Sequence, residues 1–402
     1  MTITIHPGWA QGTVAAPPSK SMAHRYLIGG ALSAGSTVQG VSGSEDMGAT
    51  LDCLAALGAA VSRQGDTVTL GGADPRWGAA QPLCCRESGS TLRFLIPLCL
   101  LGTEPVTLIG SPRLLQRSLG VYEELCAGRG LFFRAEEQSV TVRGPLPAGD
   151  YRVRGDVSSQ FISGLLFALP LLAGDSTLEI VGGLESAAYV DMTLRAMAAF
   201  GVTVERDTPL HMRIPGGQTY APRRLTVEGD YSNAAFLEGL NLLGGAVAVT
   251  GLPEHTAQGD AVYRQWYPRL AVGCPTLDIA DCPDLGPVLL ALGAALHGVR
   301  LTGTRRLRIK ESDRGHAMAQ ELAKFGIRCT VEENAVTVEP GALHAPAVPL
   351  DGHNDHRIVM ALSLLCTVTG GSIAGAQAVA KSFPDYFERL AALGVPVTED
   401  TP

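Results

Sequence analysis

Met318-Ala-Gln-Glu-Leu-Ala-Lys-Phe-Gly326, followed by Ile327-Arg-Cys-Thr-Val331, is the stretch that decides the fold. Its apolar residues recur at helical spacing, and a glycine in this place ends a helix so that a strand can follow directly. The same order recurs in segments 51–61, 194–204 and 386–397, and more loosely in 121–133 and 263–273. Successive copies lie roughly 70 residues apart, which suits a small βαβαββ unit rather than a solenoid repeat.

A second series of helices, richer in Ala and Leu, lies between these copies. Its members start near Ser21, Gly89, Ser159, Ser232, Asp284 and His356. Helices that are hydrophobic on all sides are buried helices. We therefore predict an α/β (α+β) protein of two similar domains, each of three such units. Domain I comprises residues 1–17 plus 230–402 and domain II residues 18–229, and we expect the active site in the cleft between them.

The composition narrows the class of protein. The 402 residues are 46% hydrophobic and 17% charged, and the net charge is −8. This balance indicates a soluble protein and excludes nucleic acid or an anionic membrane as the main partner. The nine cysteines form no CxxC motif and are typical of reduced thiols in the cytosol. We see no signal peptide and no apolar run long enough to span a membrane, and we expect a cytoplasmic protein.

The stretch Pro17-Pro-Ser-Lys-Ser-Met-Ala-His-Arg25 predicts an anion site. Ser19 is a suitable N-cap, and Lys20, Ser21, His24 and Arg25 follow at the positive end of the helix dipole. It is not a Walker loop, because the preceding glycines are absent. The alternative is a solvated helix start with ordinary surface charges.

More cations occur along the chain, and each alone is more typical of a surface salt bridge. Arg113 and Arg117 lie four residues apart and are able to share a helix face if the segment is helical. Together the cations could hold two phosphates and two carboxylates; they are Lys20, Arg25, Arg93, Arg113, Arg117, Lys310, Arg314, Arg357 and Lys381. His353 and His356 could bind a metal, but no carboxylate or Cys stands at ligand spacing, so we predict no metal site.

These segments resemble the EPSP synthase family of enolpyruvyl transferases over essentially the whole chain. The most specific matches are Pro18-Ser-Lys-Ser21, Gly89-Ser-Thr-Leu-Arg93, Gly155-Asp-Val-Ser-Ser-Gln160, Lys310-Glu-Ser-Asp-Arg314, Asn354-Asp-His-Arg357 and Ala380-Lys-Ser-Phe-Pro-Asp-Tyr386. The resemblance implies an inside-out α/β barrel in each domain, with parallel buried helices. It also implies transfer of the enolpyruvyl group of phosphoenolpyruvate (PEP) to the 5-hydroxyl of shikimate 3-phosphate. That reaction belongs to the shikimate pathway to chorismate and aromatic amino acids.

The resemblance also implies roles for matched residues. Shikimate 3-phosphate would be held by Lys20, Ser21, Arg25, Ser158, Ser159, Gln160, Ser186, Tyr189, Asp284 and Lys310. PEP would be held by Lys20, Gly89, Arg113, Gln160, Arg314, Arg357 and Lys381. Glu87 and Arg306 stand where Asn is common in the family, which bears on both pockets and on inhibition by glyphosate. No cofactor is implied, and we expect a monomer whose only partners are its substrates.

The reaction requires a base near the 5-hydroxyl, an acid near C3 of PEP, and cations that stabilise the departing phosphate. We predict Asp284 as the base, and Glu311, Lys20 and His356 as candidates for the proton donor. One alternative function is the sister transferase acting on UDP-N-acetylglucosamine. That family carries a reactive Cys in the loop that here reads Gly110-Ser-Pro-Arg113. A second alternative is a catalytically silent anion-binding protein on the same scaffold.

Overall fold

The computed structural model describes residues 1–400, and repeated βαβαββ units build most of it. The strands are β1 (Thr2–Ile5), β2 (Gln11–Ala15), β3 (Ser36–Gln39), β4 (Ala60–Gln64), β5 (Thr67–Gly71), β6 (Leu83–Cys84), β7 (Val106–Ile109), β8 (Phe132–Ala135), β9 (Ser139–Arg143), β10 (Asp150–Gly155), β11 (Ser176–Leu184), β12 (Glu205–Thr208), β13 (His211–Ile214), β14 (Arg224–Thr226), β15 (Ala246–Thr250), β16 (Thr276–Asp278), β17 (Val299–Thr302), β18 (Cys329–Val331), β19 (Ala335–Val338), β20 (Leu350–Asp351), β21 (Gly371–Ala374) and β22 (Val397–Asp400).

The α-helices are α1 (Lys20–Leu32), α2 (Glu45–Ala56), α3 (Gly89–Cys99), α4 (Pro112–Leu115), α5 (Gly120–Arg129), α6 (Ser159–Ala168), α7 (Ala187–Ala199), α8 (Tyr231–Gly239), α9 (Tyr263–Val272), α10 (Gly286–Ala295), α11 (Arg314–Lys324), α12 (His356–Thr369) and α13 (Tyr386–Ala392). Short 3₁₀ turns cover Pro75–Trp77, Leu169–Leu171, Leu240–Leu243, Gly259–Val262, Pro283–Leu285, Arg305–Ile309 and Ala376–Lys381. Within residues 1–400, no helix combines the length and apolar character needed to cross a membrane.

The chain divides into two compact units. Unit 1 comprises Met1–Pro17 and the chain from Gly229 onward, and unit 2 comprises Pro18–Glu228. The predicted domains divide the chain at 17/18 and 229/230, one residue later at the second crossover.

Unit 2 contains three four-stranded sheets of the same design. In the sheet β6-β7-β9-β8, β6 and β7 are parallel, β7 pairs antiparallel with β9, and β8 forms the edge. The sheets β10-β11-β13-β12 and β14-β3-β5-β4 repeat this order. In the last of these, β14 comes from the end of the unit and takes the place of the first strand.

Unit 1 repeats the design with strands from both ends of the chain. The sheet β16-β17-β19-β18 is complete, whereas β20-β21-β1-β22 takes β1 from the N-terminus. The third sheet consists of β2 and β15 in parallel, so this unit has two strands where the full pattern has four. The predicted fold class is confirmed, with this one shortened sheet.

The buried helices lie at the centre of each unit. In unit 1, α8, α10 and α12 pack against one another, and every residue from Gly286 to Ala294 is buried. In unit 2, α3 packs closely on α6. A methyl group at Gly164 would lie 2.5 Å from the carbonyl oxygen of Arg93, so only glycine permits this approach. This packing brings the polar starts of α3 and α6 together.

The glycines that end the outer helices behave as predicted, with one exception. Positive φ angles occur at Gly58, Gly130, Gly201, Gly326 and Gly394. Gly273, in the poorest copy of the repeat, has a φ of 177° and is extended. The left-handed residue lets the chain reverse within one residue and enter the next strand.

Candidate active site

In unit 2, the start of α1 carries the first predicted cation. The Ser19 hydroxyl accepts a hydrogen bond from the Met22 amide at 3.4 Å and caps the helix. The Lys20 ammonium lies 2.9 Å from Oδ2 of Asp46 in the first turn of α2. Both side chains keep a small exposed fraction. The ammonium is therefore oriented by a carboxylate and still reachable from solvent.

Arg25 lies one turn further along α1 and is buried. Its Nε donates to Thr193 Oγ1 at 2.8 Å, and its two terminal nitrogens donate to the carbonyl oxygens of Ser21 and Tyr189. Burial lowers the pKa of Arg25 to about 10, so the guanidinium stays charged at neutral pH. Ser186 is also buried and has a φ of 57°, a left-handed angle that places it immediately before α7.

His24 follows Lys20 at the start of α1 but, unlike Lys20 and Arg25, it is not a cation. Burial, Lys20 and Arg25 hold the pKa of His24 well below its ordinary value, so the ring is neutral. Nδ1 of His24 lies 2.8 Å from Thr50 Oγ1, which lies 2.8 Å from Thr91 Oγ1, which donates to Ser88. This buried chain joins α1, α2 and the cap of α3. The hydrogen bonds therefore tie these three helices to one another.

The start of α6 is oriented by α3. The Ser158 hydroxyl caps α6 by accepting a hydrogen bond from the Gln160 amide at 3.3 Å. The Gln160 side chain accepts from Nη1 of Arg93 at 2.7 Å and donates to Ser90 Oγ at 3.0 Å. Ser159 is buried in the first turn. The predicted group at residues 158–160 therefore lies beside the predicted group at the start of α3.

Arg113 and Arg117 do not share a helix face, although their spacing had suggested it. Helix α4 ends at Leu115, so the two arginines do not share a helix face. Arg113 is exposed, whereas Arg117 is buried against the first residue of α3. A methyl group at Gly89 would lie 2.9 Å from Nη1 of Arg117. The absence of a side chain at Gly89 is what lets this guanidinium approach the helix start.

In unit 1, the Asp284 carboxylate is bound by three cations. Oδ1 lies 3.0 Å from the Lys310 ammonium and accepts from Arg314 at 2.8 Å, and Oδ2 accepts from Arg357 at 3.0 Å. Burial by itself raises the pKa of Asp284, but the three cations outweigh it and hold this pKa well below its ordinary value. The carboxylate is ionised and engaged, and it would become a stronger base if anions drew those cations away.

Arg314 is the hub of this cluster and is almost completely buried. It donates to both oxygens of Asp355, at 2.8 and 3.2 Å, and to Glu311 at 2.8 Å. Asp355 also caps α12 by accepting from the Arg357 amide at 3.0 Å. One carboxylate thus fixes both the hub arginine and the helix that carries His356 and Arg357.

The remaining predicted residues of unit 1 lie around this hub. Burial, together with Arg306 and Arg314, lowers the pKa of Lys310 to about 8, although Asp284 and Glu311 oppose the shift. Lys381 donates to the carbonyl oxygen of Asn354 at 2.6 Å, just before α12. His356 is buried, and its Nδ1 lies 3.8 Å from Asp355.

His353 takes part in a structural ion pair. Its Nε2 lies 3.0 Å from Glu321, whose other oxygen accepts from the Asp351 amide and the Lys324 ammonium. The hydrogen bond to Glu321 raises the pKa of His353. Among residues 1–400, no group of three His, Cys, Asp or Glu side chains is arranged to hold a metal ion.

Comparison with known proteins decides the family. The sequence model described as EPSP synthase (3-phosphoshikimate 1-carboxyvinyltransferase) matches residues 6–271 and 270–390. The chain belongs to the EPSP synthase family. Enzymes named 3-phosphoshikimate 1-carboxyvinyltransferase from Clostridium kluyveri and Clostridium novyi are 37% and 35% identical. The matches cover 99% and 98% of this chain and 98% and 97% of those proteins. The prediction of an enolpyruvyl-transferring enzyme of this family is confirmed, and the UDP-N-acetylglucosamine alternative is not favoured.

Solved structures show the same fold. An EPSP synthase from Acinetobacter baumannii superposes with a TM-score of 0.78 at 24% identity, over 99% of this chain and 100% of that one. The enolpyruvyl transferase NikO from Streptomyces tendae gives a TM-score of 0.79 at 16% identity, over 99% and 98% of the two chains. At such identities the likeness supports the architecture alone.

The sequence missed two carboxylates that position the family motifs, because Asp46 holds Lys20 and Asp355 fixes Arg314. It named Arg93 as a cation but did not show that Arg93 orients Gln160. Asp46 and Asp355 stand at helix starts, where an acidic residue is explained well enough as a favourable charge or a cap. Nothing in their local pattern distinguishes that role from the binding of a distant cation.

Proposed function

We propose that this protein transfers the enolpyruvyl group of PEP to the 5-hydroxyl of shikimate 3-phosphate and releases phosphate. The observation that carries the proposal is the Asp284 cluster, where one ionised carboxylate is surrounded by Lys310, Arg314 and Arg357. Both substrates are anions with several charges, and a buried set of cations beside a potential base suits their reaction. Family membership supports the same choice of substrates.

The substrate assignments follow the family motifs. For shikimate 3-phosphate we propose Lys20, Ser21, Arg25, Ser158, Ser159, Gln160, Ser186 and Tyr189 in unit 2, and Asp284 and Lys310 in unit 1. For PEP we propose Lys20, Gly89, Arg113 and Gln160 in unit 2, and Arg314, Arg357 and Lys381 in unit 1. The buried arginines would provide oriented bidentate contacts, whereas Lys20 and Lys381 would act as point charges.

In the addition step, one proton is added to a carbon atom and one proton is removed from an oxygen atom. An acid protonates C3 of PEP, the 5-hydroxyl oxygen bonds to C2, and Asp284 accepts the hydroxyl proton. Asp284 is a weak base while three cations hold it. Transfer of Arg314 and Arg357 to the PEP anion would raise its pKa at the moment when a base is required.

The elimination step reverses the protonation at C3. The C3 methyl group loses one proton, the double bond reforms between C2 and C3, and the C2–O bond to phosphate breaks. We propose that Lys20, Glu311 or His356 serves as the acid at C3. Cations that hold the leaving phosphate supply the main electrostatic stabilisation, and no bound metal is part of the scheme.

One assay tests the proposed function. The protein is mixed with PEP and shikimate 3-phosphate, and phosphate release is followed, with UDP-N-acetylglucosamine as the control acceptor. We expect release only with shikimate 3-phosphate. Release with the nucleotide sugar alone would favour the sister reaction, and no release with either acceptor would favour a silent anion-binding protein.

A substitution at Gly89 tests its assignment to the PEP site. Gly89→Ala would place a methyl group 2.9 Å from Nη1 of Arg117 and force this guanidinium away from the start of α3. Because Gly89 is proposed to line the PEP pocket, the methyl group and the displaced guanidinium would take up space there, and a loss of about 1.4 kcal/mol of binding would raise the KM for PEP roughly tenfold. The KM for shikimate 3-phosphate should change little.

The matched control is Gly43→Ala, because a methyl group at Gly43 meets no atom within 4 Å. Steady-state kinetics of both variants provide the measurement. An unchanged KM for PEP in Gly89→Ala would remove this helix start from the PEP site.

We further propose that the reaction takes place in the cytoplasm and that the protein acts as a monomer. All nine cysteines are free thiols, as expected in a reducing compartment. Cell fractionation and light scattering of the purified protein test these two points.

A further inference from the structure

Two consecutive left-handed residues, His353 and Asn354, lead the chain into the start of α12. Their φ angles are 48° and 50°, in a region that residues other than glycine adopt infrequently. Among residues 1–400, four residues other than glycine have such an angle, and only these two are adjacent. The cap residue Asp355 follows directly. A bend of this kind persists only where the surrounding contacts hold it.

The His353 side chain ties this bend to α11. Nε2 of His353 lies 3.0 Å from Oε1 of Glu321, a residue that is only 2% exposed. The second carboxylate oxygen of Glu321 accepts a hydrogen bond from the Asp351 amide at 2.9 Å. Asp351 Oδ1 in turn accepts from the His353 amide at 2.7 Å. The bend is therefore held both at its side chain and at its backbone, and the buried Glu321 is the common anchor.

On its other side the bend contacts Lys381. The Lys381 ammonium donates a hydrogen bond to the carbonyl oxygen of Asn354 at 2.6 Å. The Asp355 amide donates to the Gly352 carbonyl oxygen at 2.9 Å and closes the turn around the two residues. The turn that His353 secures thus sets the position of the Asn354 carbonyl, and this carbonyl orients a lysine that we assign to PEP.

We propose that His353 is a positioning residue for Lys381. Its bond to Glu321 holds the left-handed bend, and the bend holds the Asn354 carbonyl that orients the lysine. The inference rests on the proposed function, because that function assigns Lys381 to PEP. No family motif and no step of the reaction includes His353, so its effect on PEP binding passes through the backbone of the bend.

The charge of His353 makes this arrangement depend on pH. The charged groups that face the imidazole are Glu321 and Lys324 in α11 and Asp351 in β20. The hydrogen bond to Glu321 raises the pKa of His353, Asp351 adds to the shift, and burial and Lys324 only partly oppose it. Loss of Lys324 would therefore leave the bond in place. The bond is charge-assisted at pH values below the raised pKa and weakens as the pH rises through it.

Lysine NMR tests the connection without relying on turnover. The chain has only four lysines, so 13C-labelled lysine side chains give few signals, and Lys381→Arg identifies the signal of Lys381. In the parent protein, we expect this signal to shift as His353 titrates between about pH 6 and about pH 8.5. In His353→Asn the shift should disappear, because Asn tolerates the left-handed angle but is too short to reach Glu321.

His211→Asn is the matched control. It breaks an exposed pair of unit 2, in which Nδ1 of His211 lies 2.9 Å from Asp207, and it should leave the Lys381 signal as in the parent. A Lys381 signal that shifts equally in His353→Asn and in the parent, or that does not shift in the parent, would overturn the inference.

The kinetic effect should be confined to PEP. We expect His353→Asn to raise the KM for PEP roughly tenfold at about pH 6, which corresponds to about 1.4 kcal/mol of binding. The ratio to the parent KM should shrink at about pH 8.5, where His353 of the parent is mostly neutral. The kcat and the KM for shikimate 3-phosphate should change little. A variant that melts at a lower temperature but keeps the parent KM for PEP would reduce His353 to a structural residue and contradict the proposal.

His353→Gln covers the case in which His353→Asn does not fold. Its amide can donate to Glu321 but does not titrate, so the Lys381 signal should lose its pH-dependent shift while the KM for PEP stays closer to the parent value. A shift equal to that of the parent counts against the inference.

The phosphate-release assay separates this inference from the proposed function. If the parent turns over and neither the Lys381 signal nor the KM for PEP responds to His353, only the positioning role fails. If the parent does not turn over, the proposed function fails, and the Lys381 signal still decides whether His353 positions this lysine.

Discussion

Asp284→Asn is expected to lower turnover by roughly 10²- to 10⁴-fold, the usual worth of a positioned general base. An amide keeps the size of the side chain and one acceptor oxygen, but it cannot accept the proton of the 5-hydroxyl. The affinity for shikimate 3-phosphate should be unchanged or higher, because the Asp284 carboxylate then no longer competes with the substrate for Lys310, Arg314 and Arg357. Single-turnover kinetics and equilibrium binding measure the two effects separately.

The contacts of Asp284 in the structure predict that this variant is less stable than the parent protein. As an N-cap, Asp284 would tolerate Asn without loss, but its carboxylate binds three cations instead. We therefore expect the ligand-free Asn variant to lose about 1–3 kcal/mol of unfolding free energy, and saturating shikimate 3-phosphate to reduce the difference. Asp278→Asn, at an exposed residue of the same segment, is the control. Turnover within a few-fold of the parent would show that another residue is the base.

Lys20→Met is expected to lower kcat/KM for PEP by at least roughly 10²-fold, as removal of a single preorganised donor does elsewhere. The substitution keeps most of the side-chain volume and deletes the charge at the start of α1. In the structure this charge is held 2.9 Å from Asp46, so it has a defined position from which to act on an anion. Steady-state kinetics with PEP as the varied substrate provide the measurement.

A second substitution separates the loss of charge from a loss of stability. Lys20→Met leaves the buried Asp46 carboxylate without its ammonium, which should lower the melting temperature. The double variant Lys20→Met/Asp46→Asn should regain part of that stability but none of the activity. Lys324→Met, which removes a lysine from the Glu321 ion pair in unit 1, serves as the control. Activity near the parent value in Lys20→Met would make Lys20 an ordinary surface charge.

The repeat and its helices could be predicted from local pattern. A helix that ends in glycine and leads into a strand leaves a periodicity of 3.6 residues that changes to a periodicity of 2, and both are written in adjacent residues. The burial of the apolar helix α10 and of the largely apolar helix α12 could likewise be predicted from their own composition. The motifs around Lys20, Lys310 and Arg357 were sufficient to indicate the family. They could not show that His24 is neutral, because its pKa depends on burial beneath other helices.

By itself, the sequence determined the repeated βαβαββ units, the six buried helices and the cationic residues gathered at their starts. Only the tertiary structure decided which carboxylate each cation meets. Asp46 lies 26 residues from Lys20, and Asp355 lies 41 residues from Arg314. Such pairs have no spacing rule, because they form where packed helices bring distant segments together. For the same reason the bond from Arg357 to Asp284, 73 residues away, forms only because α10 and α12 pack together. Burial and neighbouring charge, not residue type, then set the pKa of Asp284.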